Sequence, residues 1–202
     1  MYKNFEKIFI PSKILSYGYI PSEEECYRFW DEYGMMEHIK DHSRMVAKIA
    51  LNISVKLKEK YLFVDENLVY VTGLLHDIAK TYTIKNGGYH SQLGAVWMLD
   101  RTKNYAIAHG IMHHVFWPGP IDLKKYWLPL IIVYSDKRVN HDMIVSLEER
   151  QSYILKRYGK TYERMQRILY SFKQAREIEE TLTKIIGGDL DACIINSRGM
   201  VS

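Results

Sequence analysis

With 202 residues, 47% of them apolar and 26% charged, the chain is long enough for one domain with a core of its own, and its composition is that of an ordinary globular protein. The longest apolar run, Trp127 to Tyr134, has eight residues, too few to span a bilayer, which takes about 18 or more. The net charge of +4 is uneven, since Arg150 to Ile186 holds nine Lys or Arg against four Glu and so carries +5, leaving −1 for the rest.

Residues 1–20 show no clear period, and the opening MYKNFEKIFIPSK has neither the apolar stretch nor the small-residue cleavage site of a secretory signal. Pro21-Ser22 then opens a helix, with Ser22 as N-cap and Glu25 completing a capping box. Cys26, Phe29, Trp30 and Tyr33 recur at helical spacing, and Gly34 ends the helix. Cys26 and Cys193 form no CxxC pattern, which fits a reducing compartment and a cytoplasmic protein. The next helix is expected from Glu37 to about Lys58, with Val46, Ile49, Ala50, Ile53 and Leu57 as its inward stripe. His42 lies four residues before Val46 on that stripe, whereas His38 faces outward.

Val69 to Lys80, VYVTGLLHDIAK, has almost no polar face and reads as one buried helix carrying His76 and Asp77 side by side. A carboxylate in apolar surroundings is costly unless it is paired or binds a metal. Two readings fit these residues: a buried salt bridge, with Lys80 offsetting the acid beside a core histidine, or a histidine and an aspartate flanking a divalent cation. Thr81 to Tyr89 reads as a loop punctuated by Gly87-Gly88. A helix starts at His90, and after a turn at Thr102 to Asn104 another spans roughly Tyr105 to Phe116. On it, His109 and His113 share a face, while His114 is turned about 100° away. Four of the chain's eight histidines fall within residues 90–114, a concentration that points to a shared role.

Trp117 to Asp122 is a turn-rich loop. Leu128, Ile131, Ile132, Val133, Tyr134 and Val139 then mark an apolar helix in which Pro129 is tolerable only in the first turn. This helix also holds Asp136, a second acid in a hydrophobic element, and one cation shared with Asp77 explains both. Ser146, Glu148 and Glu149 begin a helix closed by Gly159, and the last runs from about Tyr162 to Ile186. Its expected buried stripe is Met165, Ile168, Leu169, Phe172, Ala175, Ile178, Leu182 and Ile185, packing on the domain or on a second subunit as a homodimer contact. Gly187-Gly188 stops it, and the tail to Ser202 reads as loosely ordered. With no βαβ alternation, repeat or glycine-rich phosphate loop, the fold class is all-α.

His42, His76, Asp77, His90, His113, His114 and Asp136 form a donor set suited to Fe, Mn, Co, Ni or Zn rather than Ca. His42, His76, Asp77 and Asp136 supply one ion, and His90, His113 and His114 could complete a second site with Asp77 bridging. The order His42 … His76-Asp77 … Asp136 resembles the HD-domain superfamily of metal-dependent phosphohydrolases. The surrounding HSRMVAKIA, GLLHDIAK, HSQLGA, IMHH and YSDK match in context, over about Pro21 to Asp142. The chain departs from its relatives in reading HDIA rather than HDIG, and WPGP rather than the GYP signature of cyclic-dinucleotide phosphodiesterases.

The resemblance implies a helical bundle at residues 21–142, preceded by the segment 1–20 and followed by C-terminal amphipathic helices at 143–187 and the tail 188–202. It implies one or two divalent transition metals, which lower the pKa of water and polarise a phosphoryl oxygen, with Asp77 and Lys80 in catalytic roles. Lys80, Lys137 and Arg138 are candidate contacts to substrate phosphate, and His109 could support a ligand from behind. The expected partner is a small phosphorylated molecule such as a nucleotide. A non-catalytic module that binds nucleotide or metal is the alternative. Against a nucleic acid partner, the basic residues at 150–184 interleave with the expected buried stripe and show no stacking pattern.

Overall fold

A computed structural model describes residues 18–61, 63–187 and 190. The expectations for the N-terminal segment before Gly18, for Cys193 and for the tail therefore lie outside the described residues. Within them the chain is an all-α bundle with one two-stranded hairpin: α1 (Glu23–Glu32), α2 (Glu37–Lys58), α3 (Glu66–Leu75), α4 (Lys80–Asn86), α5 (His90–Thr102), α6 (Tyr105–His113), α7 (Leu123–Lys137), β1 (Val139–Asn140), β2 (Met143–Ile144), α8 (Leu147–Tyr158) and α9 (Tyr162–Ile186). No helix among the described residues is long and apolar enough to cross a membrane.

Local chemistry sets the starts. The Ser22–Glu25 capping box opens α1 and a second, Ser146–Glu149, opens α8. The centre of the bundle is the crossing of α2 and α3. It is close because Gly73 has no side chain: a Cβ there would lie 2.6 Å from Ala47 Cα. Helix α6 approaches α3 from another side in the same way, where a Cβ on Gly110 would meet Thr72 Cγ2 at 2.6 Å. Small residues at both crossings let three helices converge within reach of one another at the C-terminal end of α3.

Three expectations change. The helix read over Val69 to Lys80 stops at Leu75, and residues 76–79 form a tight turn before α4. Its terminal carbonyls are taken by other donors: Leu74 O by the Trp30 indole at 2.9 Å, Gly73 O by the His76 ring at 2.7 Å and Leu75 O by Ile78 N at 3.1 Å. The expected loop at 81–89 is mostly α4, whose buried Thr81 hydroxyl accepts a 2.9 Å hydrogen bond from Met36 N at the start of α2. Finally, Val139 leaves the helix for β1, which pairs antiparallel with β2 (Val139 opposite Ile144) around a turn where His141 takes a left-handed φ of 57°.

Pro129 behaves as expected for a reason not visible locally. Tyr126 breaks α7 with φ −120° and ψ 34°, so the helix restarts and Pro129 falls in its new first turn. In α9 only the C-terminal half of the stripe is covered. Phe172, Ala175, Ile178 and Leu182 are buried, whereas Met165 and Leu169 stay exposed.

Candidate metal centre

The turn after α3 puts His76 and Asp77 at the heart of the bundle, both at 0% exposure. Around them come His42 from α2, His90 from the first turn of α5, His114 from the end of α6 and Asp136 from the last turn of α7. The described residues contain two groups of donors that could each hold a metal ion, His42–His76–Asp136 and His76–Asp77–His114, with ligand atoms all within 4.8 Å of one another.

Three of the rings are locked in one tautomer by main-chain oxygens. His42 Nδ1 lies 3.0 Å from His141 O, His76 Nδ1 2.7 Å from Gly73 O and His114 Nδ1 2.8 Å from Ile111 O. Each carbonyl can only accept, so each Nδ1 carries the proton and each Nε2 presents a lone pair. All three Nε2 atoms aim at the same space as the two carboxylates. His42 Nε2 is 3.0 Å from Asp136 Oδ1, and His76 Nε2 is 3.4 Å from Asp77 Oδ2 and 3.8 Å from Asp136 Oδ1. The other Asp77 oxygen faces the second group, Oδ1 lying 3.2 Å from His90 Nε2 and 3.5 Å from His114 Nε2.

Acceptors facing acceptors in a buried space repel unless something positive lies between them. His76 Nε2 and Asp77 Oδ1 are indeed buried with no hydrogen-bond partner, an arrangement that normally costs about 1–3 kcal/mol per group. The two acids also draw positive charge into this space, which a proton or a cation could supply. Burial opposes a charge on His76, yet the Asp77 and Asp136 carboxylates outweigh it and raise its pKa. Burial likewise opposes ionisation of Asp77, but Lys80 and His76 hold its carboxyl well below the ordinary range. For Asp136 the opposing groups are chiefly His42 and Lys137, with the same result. Burial keeps His42 below its usual value and pushes His90 down to about 3, so both favour the neutral, ligating form. Imidazole nitrogens with carboxylate oxygens fit a divalent transition metal.

The centre has one open side. His90 is 26% exposed at its side chain, Asp136 17% and Lys80 30%. Lys80 Nζ donates to Asp77 Oδ2 at 2.6 Å from that rim, so the salt bridge weighed from the sequence is present, in a carboxylate that also belongs to a donor group able to hold a metal.

A family model, the HD domain, matches residues 39–167. The chain belongs to the HD domain family. No curated protein and no solved structure matches it in the other two comparisons. HD domains bind divalent metals, and the donor clusters of this chain could hold one.

Not every candidate joins the centre. His113 packs against the rings of His109 and Trp117, at 4.9 and 5.5 Å between centroids, on the side of α6 away from His114. Neither group of convergent donors includes it. Lys137 and Arg138, expected as contacts to substrate phosphate, are buried at 5% and 6% exposure. Lys137 Nζ donates to His114 O and Val115 O, both at 3.3 Å. Arg138 donates to Val145 O at 2.8 Å and the Tyr134 hydroxyl at 2.6 Å, and pairs with Glu179 at 3.3 Å. They brace the end of α7 that carries Asp136, so both charges are engaged inside the fold and neither is placed at a substrate phosphate as expected. Sequence reasoning missed the main-chain oxygens of Gly73, Ile111 and His141. The Gly in VTGLLHD was their one legible trace, as a helix-crossing glycine three residues before a histidine.

Proposed function

We propose that this HD domain is a metal-dependent phosphohydrolase acting on a nucleotide or a similarly small phosphoester or phosphoanhydride. The observation that carries the reading is the open side of an otherwise buried donor cluster. Structural metal sites are closed, whereas catalytic sites leave a position for water or substrate. Here His76 and Asp77 are sealed while His90, Asp136 and Lys80 face the opening.

His42, His76, Asp77 and Asp136 would hold one divalent metal, and His90 with His114 would extend the site towards a second, Asp77 reaching both through its separate oxygens. A bound metal supplies Lewis acidity, lowering the pKa of water and polarising a phosphoryl oxygen. The chain's own contribution is orientation. The locked Nδ1–H groups keep three Nε2 lone pairs aimed inward, and buried apolar walls keep bulk water to one side. Lys80 places a positive charge at the rim, where the non-bridging oxygens of a phosphate would lie.

The test is hydrolysis of a panel of nucleotides, dinucleoside polyphosphates, cyclic dinucleotides and phosphomonoesters with Mn²⁺, Fe²⁺ or Co²⁺ supplied. Turnover of one class that vanishes in a folded Asp77→Ala variant supports the proposal. Silence across the panel, in protein shown to carry metal, favours the non-catalytic binding module.

A further inference from the structure

Arg150 belongs by sequence to the basic C-terminal segment, and charged helix faces are usually just solvated. In the structure it is buried instead, at 9% exposure, one turn into α8. A guanidinium stays charged and is almost never fully buried unless paired. Other buried charges obey that rule: Asp77 meets Lys80 at 2.6 Å, Asp136 meets His42 at 3.0 Å and Arg138 meets Glu179 at 3.3 Å. Among the described residues, the side-chain contacts of Arg150 are neutral. Its Nη1 donates to Asn140 Oδ1 at 2.9 Å, and the Tyr153 ring lies 5.5 Å from the guanidinium carbon. The adjacent acids are engaged elsewhere, Glu148 with Arg176 and Glu149 with the Ser146 amide. A guanidinium has several more N–H donors than Asn140 takes. The nitrogens that lack a protein partner are not sealed off but open to solvent.

Its place matters more than its burial. Asn140 ends β1, and the next residue, His141, gives the main-chain oxygen 3.0 Å from His42 Nδ1. Tyr153, further along α8, reaches the same turn, its ring 5.6 Å from the His141 imidazole. Helix α8 therefore lies over the turn that backs the His42–His76–Asp136 group. Lys80 flanks that group too, through Asp77 Oδ2, the oxygen 3.4 Å from His76 Nε2. The two cations are close enough to sense each other. Burial and the Arg150 charge oppose a proton on Lys80, and the Asp77 and Asp136 carboxylates outweigh them. Arg150 also acts on Lys137, where burial and this neighbouring charge prevail over Asp136. Lys80, Lys137 and Arg150 thus stand against only Asp77 and Asp136, an excess of positive charge that a divalent ion would widen.

We propose that Arg150 is a substrate-binding residue of the centre, its free N–H groups taking the second phosphoryl group of a phosphoanhydride whose first phosphoryl group lies at the metal donors beside Lys80. Two phosphates are called for because the cations are offset. Lys80 touches Asp77, whereas Arg150 is anchored at Asn140, behind the His42 ring, so a single phosphate at the donors leaves it unmet. The planar fork of an arginine matches phosphate oxygens in a way that a lysine does not. This role rests on the phosphohydrolase reading of the centre, and it narrows the substrate to a nucleotide or similar molecule with adjacent phosphoryl groups.

The experiment is calorimetric titration of the full chain, loaded with Mn²⁺ and checked for unchanged metal content after each run. The probes are inorganic orthophosphate and imidodiphosphate, whose P–N–P bridge resists hydrolysis. We expect imidodiphosphate to bind more tightly than orthophosphate. Arg150→Gln should weaken imidodiphosphate by about 10- to 150-fold, the loss of a charge-assisted hydrogen bond, and leave orthophosphate nearly unchanged. Arg150→Lys, which keeps the charge without the fork, should fall between. Asn140→Ala severs the same hydrogen bond but leaves the guanidinium, and should keep most of the affinity. Equal affinity of the wild-type protein for the two anions would overturn the inference, with no variant needed. Equal weakening of both anions in Arg150→Gln would do so as well. A loss in Asn140→Ala as large as in Arg150→Gln would make Arg150 a brace of the β1–β2 turn and nothing more. Binding is read here without turnover. A silent hydrolysis panel beside a preference for imidodiphosphate would remove the catalytic reading and keep Arg150 as an anion contact; turnover beside equal affinities would do the reverse.

Discussion

Helix α6 carries histidines to two very different places. On one side His114 meets His76, His90 and Asp77 in the candidate metal centre; on the other His109 and His113 pack against Trp117. The residue type is the same and two of the positions are adjacent. What differs is the company of each ring. His114 has a carbonyl fixing its Nδ1 and a carboxylate 3.5 Å from its Nε2. His109 and His113 pack against each other and Trp117, and burial pushes each down to about 4. A histidine is suited to be a ligand when one nitrogen is committed and the other faces negative charge.

The largest test of this contrast removes the negative charge. In Asp77→Ala, metal content measured by mass spectrometry should fall by more than about 100-fold in affinity, beyond the 10- to 100-fold typical of losses one layer further out. The adjacent pair gives the sharpest comparison. His114→Ala should weaken metal binding by at least tenfold or so, whereas His113→Ala should leave metal stoichiometry unchanged and cost about 1 kcal/mol of stability. Equal metal loss in the two variants would erase the distinction between the faces of α6.

Gly73→Ala probes the scaffold under the centre. The new Cβ would sit 2.6 Å from the Ala47 backbone, so urea denaturation should report a loss of about 1–3 kcal/mol, the usual cost of overpacking. Metal affinity should drop as well, because the Gly73 oxygen holds the His76 ring.

The smallest effect is in the pH dependence of the metal-free protein. Asp77 and Asp136 are depressed below the ordinary 3.8, so their contribution is complete above that value and is lost as the pH falls towards the depressed folded values. His109 and His113 act in a higher window. Their folded pKa of about 4 lies below the ordinary 6.5, so the unfolded chain binds more protons and stability declines as pH falls from 6.5 to 4. His42 and His90 are also lowered and add to that slope. His109→Gln with His113→Gln should make the decline shallower without altering the loss below 3.8, as read from denaturation midpoints across pH. An unchanged slope would mean that the Trp117 cluster does not bury neutral imidazole.

Much of this was legible from the chain because helical signals are local. Helix α2 is bounded by Glu37 and Lys58 as its periodicity predicts, α9 by Tyr162 and Ile186, and both capping boxes form as written. The residues His42, His76, Asp77, His90, His114 and Asp136 do converge. What was not legible depends on partners distant in sequence. Nothing in VYVTGLLHDIAK announces that Trp30 will take the Leu74 carbonyl and let the helix end early. Lys137 and Arg138 look like surface residues until α9 brings Glu179 and the α6 terminus offers its carbonyls. The exposed half of α9 has the same periodicity as the buried half, and only the reach of the bundle separates them.

The three oxygens that fix the rings of His42, His76 and His114 belong to the main chain of His141, Gly73 and Ile111. Replacing the side chain at 111 or 141 leaves the oxygen where it is, provided the backbone keeps its path. The protonation pattern of the ligands is thus inherited with the fold rather than spelled by particular neighbours. Side chains around the centre can therefore change while three ring nitrogens keep their lone pairs turned inward.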